Sequence, residues 1–343
     1  MFNKLRTLWR PEAYHGSGVK GHFFEGWYFK LINPDQSQRW AIIPGVFLNP
    51  DSSKSHAFIQ VLDGITNQAS YHRFPLEQFQ ASTSELDIQI GGNRFTSHGL
   101  SLDLPADNRS MKGEVRFGQL IPWPVRLTSP GIMGPYAFAP FMQTYHGILS
   151  FDHPLDGELR IAGQTVNFSQ GRGYIEKDWG QTFPRAYIWM QTNHFEQPAS
   201  LSASIATIPW LGNWFRGFLV GFWFENHLYK FTTYAGSQTD RLHLTEHEVE
   251  WRLTGGAHVQ PQLGYKKYQL VLRAKRQQGG VIAAPEISGM EPRIMESLTA
   301  EIEVRLSAIS GQGKEVLLFQ GNGASAGLEV AGSVEEIVDP IEA

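Results

Sequence analysis

The sequence predicts an all-β protein built from two antiparallel β domains. Three features carry that expectation: apolar and polar residues alternate with a period of two, glycine is frequent, and aromatic content is high. The 343 residues include 35 glycines, and aromatics make up 13%. Successive side chains of a strand point to opposite faces, so such alternation marks a half-buried strand. Leu298, Ala300, Ile302, Val304 and Leu306 fall on one face of a segment whose other face carries Thr299, Glu301, Glu303 and Arg305. Val249, Trp251 and Leu253 alternate in the same way with Glu248, Glu250 and Arg252. Shorter copies are ELDIQIGG, GLSLDLPA, GELRIAG and YQLVLRA, each with a turn-forming residue nearby. Helical periodicity is nearly absent. Short strands in this number exceed one small barrel and indicate two domains, each a barrel or sandwich.

The first domain is expected over residues 1–170 and the second over 171–343. Within the first, residues 117–147 break the alternation, with five prolines and Arg126 as the single Lys, Arg, Asp or Glu. A long apolar loop of this kind reads as a lid or the rim of a pocket. At the N-terminus, Phe2, Leu5, Leu8 and Trp9 alternate with Lys4, Arg6 and Arg10. That pattern suits a short interfacial helix making peripheral membrane contact; the competing reading packs the segment on its own domain. No secretory signal is recognised, and no apolar run is long enough to span a bilayer. The nearest, residues 208–224, is split by Arg216. These features together predict a cytoplasmic protein, at most peripheral to a membrane. The acidic tail after Gly332 is expected to fray.

Composition excludes several functions. Charged residues are 18% and the net charge is −4, so there is no basic field for a phosphate backbone and nucleic acid is not a partner. With no cysteine, disulfides, thiolate catalysis and cysteine-ligated metals are ruled out. Three motif matches are dismissed on context. GSGVKG (16–21) runs into a strand-like segment rather than opening a helix, unlike a dinucleotide loop. GASAG around Ser325 has no helix or histidine after it, as a hydrolase elbow requires. His243 and His247 lie on a strand-like segment, where four residues span roughly 13 Å, too far for one ion. No metal site is expected.

Two stretches carry chemistry. In GHFFEGWYFKL, strand geometry puts Glu25 on one face with Phe23, Trp27, Phe29 and Leu31. A carboxylate among large apolar groups is costly unless paired or protonated. One reading is a salt bridge to Lys30, Lys177 or an arginine; the other is a carboxyl group facing a cavity. In GYIEKDWG, Tyr174, Glu176 and Asp178 share a face, beside Lys177 and Trp179. After a turn, Tyr187, Trp189, Gln191 and Asn193 share a face of the next strand. Rings can line an apolar ligand while amides hold its oxygens, although amides can equally bond to neighbouring strands.

FFEGWYFK, GYIEKDWG, FPRAYIWMQTNHF, IAAPE followed by MESLTAEIEVRL, and GNGASAGLEVAGS occur in the order seen in the tocopherol cyclase family, which the chain resembles over nearly its whole length. That family is similar to the carotenoid 1,2-hydratase group, so the resemblance implies two lipocalin-like antiparallel β-barrel domains. It further implies a cofactor-free isomerase that cyclises a prenylated hydroquinone to a chromanol. A proton is added to the chain's nearest double bond and the phenolic oxygen traps the tertiary cation. The alternatives are an isoprenoid alkene hydratase and a non-catalytic carrier of an apolar ligand. A free glutamate is protonated only about once in 500 molecules at pH 7, so burial must raise its pKa for it to serve as the acid. Glu176 and Glu25 are the expected acids, with Asp178 beside them and Lys177 pairing with and tuning a glutamate. Trp27, Trp179 and Trp189 are expected to face the developing cation. Gln191 and Asn193 would hold the quinol oxygens, with Tyr174, Gln143 and His146 as further ligand contacts. The partner is an apolar small molecule.

Overall fold

The computed structural model describes residues 7–105, 110–140, 142–210, 212–255 and 265–340. The chain forms two units: residues 1–183 with 280–294, and residues 184–279 with 295–343. Strands of the first unit are β1 (Phe23–Ile32), β2 (Arg39–Leu48), β3 (His56–Asp63), β4 (Gln68–Phe74), β5 (Phe79–Ala81) and β6 (Asp87–Ile90). They continue with β7 (Asn93–Thr96), β8 (Gly99–Leu104), β9 (Met111–Phe117), β10 (Thr144–Ile161), β11 (Gln164–Asn167) and β12 (Arg172–Gly180). The second unit begins with β13 (Ala186–Thr192), β14 (Ala199–Trp210), β15 (Asn213–Phe224), β16 (His227–Thr232) and β17 (Gln238–Leu244). Then follow β18 (Glu248–Gly255), β19 (Tyr265–Lys275), β20 (Gly280–Pro285), β21 (Met290–Ser310) and β22 (Glu315–Gly332).

The first sheet runs β4-β3-β2-β1-β12-β10-β9-β8-β7-β6-β5 and the second β16-β15-β14-β13-β22-β21-β19-β18-β17. Each is an up-and-down meander in which the first strand pairs with the last, the lipocalin-like arrangement. The expected barrels are nevertheless not closed. Among the described residues β4 does not pair with β5, nor β16 with β17. In both sheets the seam falls between the fourth and fifth strands, where a short 3-10 turn intervenes, Leu76–Gln78 in one and Thr233–Ala235 in the other.

The domain boundary lies beyond the expected one at 170. β12 is hydrogen-bonded between β1 and β10, so it completes the first unit. The hairpin over residues 280–294 also belongs there. The Gln60 amide both accepts from Ala283 N and donates to Ala283 O, and Gly280 packs against Leu62 so closely that a Cβ would lie 2.4 Å from it.

Each meander encloses an apolar core. The first is built around Trp27, Phe29, Leu31, Ile42, Phe95 and Ile175, the second around Ile188, Met190, Phe222, Trp251, Leu270 and Val304. Residues 118–143 form no named strand. Their first part runs beside β10, where a bulged register frees backbone groups: Ile121 O accepts from Phe151 N, and Trp123 N donates to Ile148 O. Leu127, further along, is 79% exposed. The interfacial helix expected at the N-terminus lies largely outside the described residues. Where the chain is described, Thr7 is buried and the Trp9 indole donates to Leu127 O and meets Phe138 edge-on, which is packing on its own domain. His243 and His247 are separated by the turn between β17 and β18, not carried on one strand.

His153 gives this fold an acid-labile point. It is buried in the first unit with Nδ1 3.0 Å from Ser150 Oγ and its ring 4.7 Å from Phe117. Gly173 must be glycine, because a Cβ there would lie 2.3 Å from His153 Nε2. Burial pushes His153 down to about 3. The unfolded chain takes up that proton near pH ~6.5 and the folded chain does not, so stability is full above that value and is lost as pH falls toward 3. The urea midpoint should therefore drop between about pH 7 and pH 5, and His153→Gln should remove much of the drop. An equal drop in the variant would show that the acid sensitivity lies elsewhere.

Candidate functional site

β12 is the axis of the site. Its residues alternate between faces, and the pairing with β1 assigns β1 side chains to each. Glu25 lies opposite Trp179, Trp27 opposite Lys177 and Phe29 opposite Ile175, which places these six on the core side. Tyr28 lies opposite Glu176 and Lys30 opposite Tyr174, on the other side with Asp178. On β10, His146 is the direct cross-strand partner of Asp178. Glu25 and Glu176, the two expected acids, therefore stand on opposite faces of one sheet.

On the core side Glu25 is an anion. Its Oε1 is 2.5 Å from Lys177 Nζ and both side chains are fully buried. The backbone N–H groups of His15 and Gly16 donate to its carboxylate at 2.9 and 3.2 Å. Burial alone would raise its pKa, but the charge of Lys177 leads the effects that outweigh burial and hold Glu25 below its ordinary value. The salt-bridge alternative thus describes Glu25. Burial pulls Lys177 down against the Glu25 charge. Lys177 also donates to Ala13 O and to His15 Nδ1, and its ammonium sits 4.9 Å from the Trp27 ring and 4.7 Å from that of Trp179. Because Nδ1 accepts, His15 is the Nε2–H tautomer, consistent with its contact to Thr7 O at 3.2 Å. Its ring stacks on Trp179 at 4.3 Å, and Tyr145 stacks on Trp179 as well, at 5.6 Å. Trp27 and Trp179 are thus turned to Lys177 rather than toward Glu176. His15 was missed in the sequence because AYHG has no periodicity that would assign it a face.

The opposite side carries the second cluster. Tyr174 OH donates to Glu176 Oε2 at 2.5 Å. His146 Nδ1 is 2.9 Å from Asp178 Oδ1, and its Nε2 is 3.7 Å from Glu176 Oε2. Burial alone would pull His146 down, but the Asp178 and Glu176 carboxylates together lift it to about 9. At neutral pH it is an imidazolium, mostly but not fully withdrawn from water, between two acidic side chains. Gln143 lies near the end of this cluster's β10 strand, its side-chain nitrogen 3.4 Å from Thr182 Oγ1.

His146, Glu176 and Asp178 could each offer a cation one ligand atom, since those atoms lie within 4.8 Å of one another. Cross-strand pairing of β10 with β12 brings this set together, and no histidine spacing in the sequence marks it. A protonated imidazole has no lone pair to give, so a cation would first have to displace the His146 proton.

Trp189, Gln191 and Asn193 stand on β13 or just beyond it in the second unit. All are buried, and Trp189 and Gln191 lie on the sheet face opposite its core. The Trp189 ring lies against Gly327, where a Cβ would come within 2.6 Å of it, and Asn193 Oδ1 is 2.8 Å from His194 Nδ1. Beside them are two carboxyl groups the sequence reading missed. Glu329 lies opposite Trp189 on one side and Glu296 on the other, both glutamates are buried, and Tyr187 OH donates to Glu329 Oε2 at 2.6 Å. Surface clefts exist on each unit, one beside Arg273 and Glu303 and one beside Lys112 and Asp156, and neither is lined by a residue of these clusters.

The tocopherol cyclase-like family matches residues 135–332, more than half the chain, and the chain belongs to that family of enzymes. It is 23% identical to the chloroplastic tocopherol cyclase of Zea mays, over 95% of this chain and 78% of that protein. It is also 23% identical to the probable chloroplastic tocopherol cyclase of Oryza sativa subsp. japonica, over 58% of this chain but only 42% of the rice protein's length. The crystal structure of CghA superposes with a TM-score of 0.57 at 10% identity, covering 91% of this chain and 89% of that one, which supports the fold. No helix among the described residues is long and apolar enough to cross a membrane.

The Glu25–Lys177 pair is testable through stability. Lys177→Met strands a buried carboxylate and should cost about 3–5 kcal/mol of unfolding free energy. Adding Glu25→Gln to that variant should restore part of the loss, because the stranded charge is then gone. Chemical denaturation of the three variants checks this, and a double variant weaker than the sum of both losses would refute the pairing energetics.

Proposed function

We propose that the protein catalyses acid-initiated ring closure of a prenylated hydroquinone, with Glu176 and His146 managing the proton. The observation that carries this reading is the His146 imidazolium held between Asp178 and Glu176 on the non-core side of β12. Such a cluster stores a proton at neutral pH beside the buried Glu176, as a general acid requires. In the proposed step a proton leaves the cluster for the less substituted carbon of the alkene. The phenolic oxygen attacks the tertiary cation, a C–O bond forms, and the phenol's proton returns to the cluster. Electrons and protons balance with no net redox change.

Within this reading Glu176 delivers the proton, and Tyr174 fixes its Oε2 by hydrogen bonding. His146 resupplies Glu176, while Asp178 orients the imidazole and raises its proton affinity. Glu25 and Lys177 act as positioning residues from the opposite face. Trp189, Gln191 and Asn193 remain the proposed ligand contacts of the second unit. A hydratase would use the same donor with water as the nucleophile, so the product separates the two. A passive carrier has no need of an imidazolium held between carboxylates.

Incubation with dimethylphytylbenzoquinol should yield the chromanol. Glu176→Gln should lower turnover by about 100-fold or more while quinol binding persists. Unaltered turnover in this variant would remove Glu176 from the mechanism, and a tertiary alcohol in place of the chromanol would identify hydration.

Acid catalysis through His146 also sets a pH limb. The imidazolium exists below its raised pKa, so turnover should fall as pH rises through about 9. Asp178→Asn removes the larger of the two charges that raise His146, and the falling limb should move down by about one pH unit or more. A limb that stays in place would show that another group controls it.

A further inference from the structure

The loop connecting β14 and β15 carries an exposed aromatic group that the proposed reaction does not use. Trp210 is 38% exposed and Trp214 is 40% exposed, at the end of a long antiparallel ribbon. The seven residues 209–215, PWLGNWF, contain no charge. The register pairs Ile208 with Phe215, Pro209 with Trp214 and Trp210 with Asn213. Pairing therefore runs to the tip, and Gly212 makes the turn with a φ of +82°. Residues on neighbouring rungs point to opposite sides, so Trp210 and Trp214 project from the two faces of the ribbon. Trp210 meets Phe215 edge-on at 6.3 Å.

We propose that this hairpin tip inserts into the headgroup region of a phospholipid bilayer and so anchors the protein at the surface of a membrane. Three observations favour a bilayer over a protein partner. A flat protein surface would cover one face of the ribbon and leave the other tryptophan in water, whereas tip-first insertion immerses both. The ribbon's backbone groups bond to each other up to the turn, so immersion strands few of them. Indole combines an apolar body with a polar N–H and is favoured at the membrane–water boundary. The nearest charge, Arg216, is bound back into the unit by Asp339 Oδ1 at 2.7 Å and by Ile337 O at 3.2 Å. The sequence of the tip, residues 209–215, offers no basic group to anionic headgroups, so the interaction is with neutral, zwitterionic lipid. This contact is separate from the one expected at the N-terminus, and it does not depend on the cyclase reading.

The test is co-sedimentation of the full chain with vesicles of phosphatidylcholine alone and of phosphatidylcholine mixed with phosphatidylserine, without substrate. Binding to both should be similar and insensitive to salt, and brominated lipid should quench tryptophan fluorescence. Trp210→Ser combined with Trp214→Ser should weaken binding by about tenfold or more, with an unchanged melting temperature and circular dichroism spectrum. Should that variant misfold, Trp214→Ser alone, at an exposed position, should still weaken binding and lessen the quenching. The proposal is overturned if wild type ignores phosphatidylcholine vesicles, if binding requires phosphatidylserine, or if the folded double variant binds as wild type does. It is equally overturned if the substitutions change only self-association in gel filtration.

Discussion

The arrangement of the site depends on one buried ion pair. Lys177 and Glu25 have left water completely, and the cost of doing so is recovered only because each is held on several sides. Two tryptophan rings flank the ammonium, a backbone carbonyl and His15 accept from it, and two backbone N–H groups donate to the carboxylate. This bond crosses the β1–β12 pair and ties the chain at residues 13–16 against it. A one-residue slip in β12 would turn Lys177 outward and bring Glu176 into the core. The pair therefore specifies the register as well as contributing energy, and the register puts Glu176 and Asp178 beside His146.

Adjacent residues of β12 consequently do opposite work. Lys177 and Trp179 serve a closed electrostatic arrangement on the core side. Tyr174, Glu176 and Asp178 form, with His146, an arrangement that carries a proton at neutral pH. Strand alternation separates the two chemistries by the thickness of one sheet, so Lys177 faces Glu25 on one side while His146 faces Glu176 and Asp178 on the other.

Much of this was legible in the sequence. Alternation in GYIEKDWG places Tyr174, Glu176 and Asp178 together, and FFEGWYFK places Glu25 with Trp27. The sequence cannot state which face of one strand meets which face of another, because that follows from pairing between residues far apart in the chain. Hence Glu25 and Glu176 were joined in one expectation although they stand on opposite faces. The bulge between Ser297 and Ala300 hid a second feature. It shifts the alternation by one, so Glu296 faces Glu329 while Ala300 and Ile302 stay in the core, and Leu298, grouped with them by periodicity, is buried outside that cluster. The seams after β4 and β16 were equally hidden, since a short 3-10 turn within a meander has no strong compositional mark.

Pairing of the first strand with the last has a consequence for synthesis. β1 leaves the ribosome early, gains β2, and then presents a bare edge until β12 arrives. The first unit also recruits residues 280–294, which emerge only after β13 through β19. Its completion is thus postponed until most of the second unit has been translated. Such long-range closure is slow, and the waiting strand is open to pairing with the wrong neighbour. A nascent chain stalled before residue 280 would hold the strands of the first sheet while its unit still lacked the hairpin over residues 280–294.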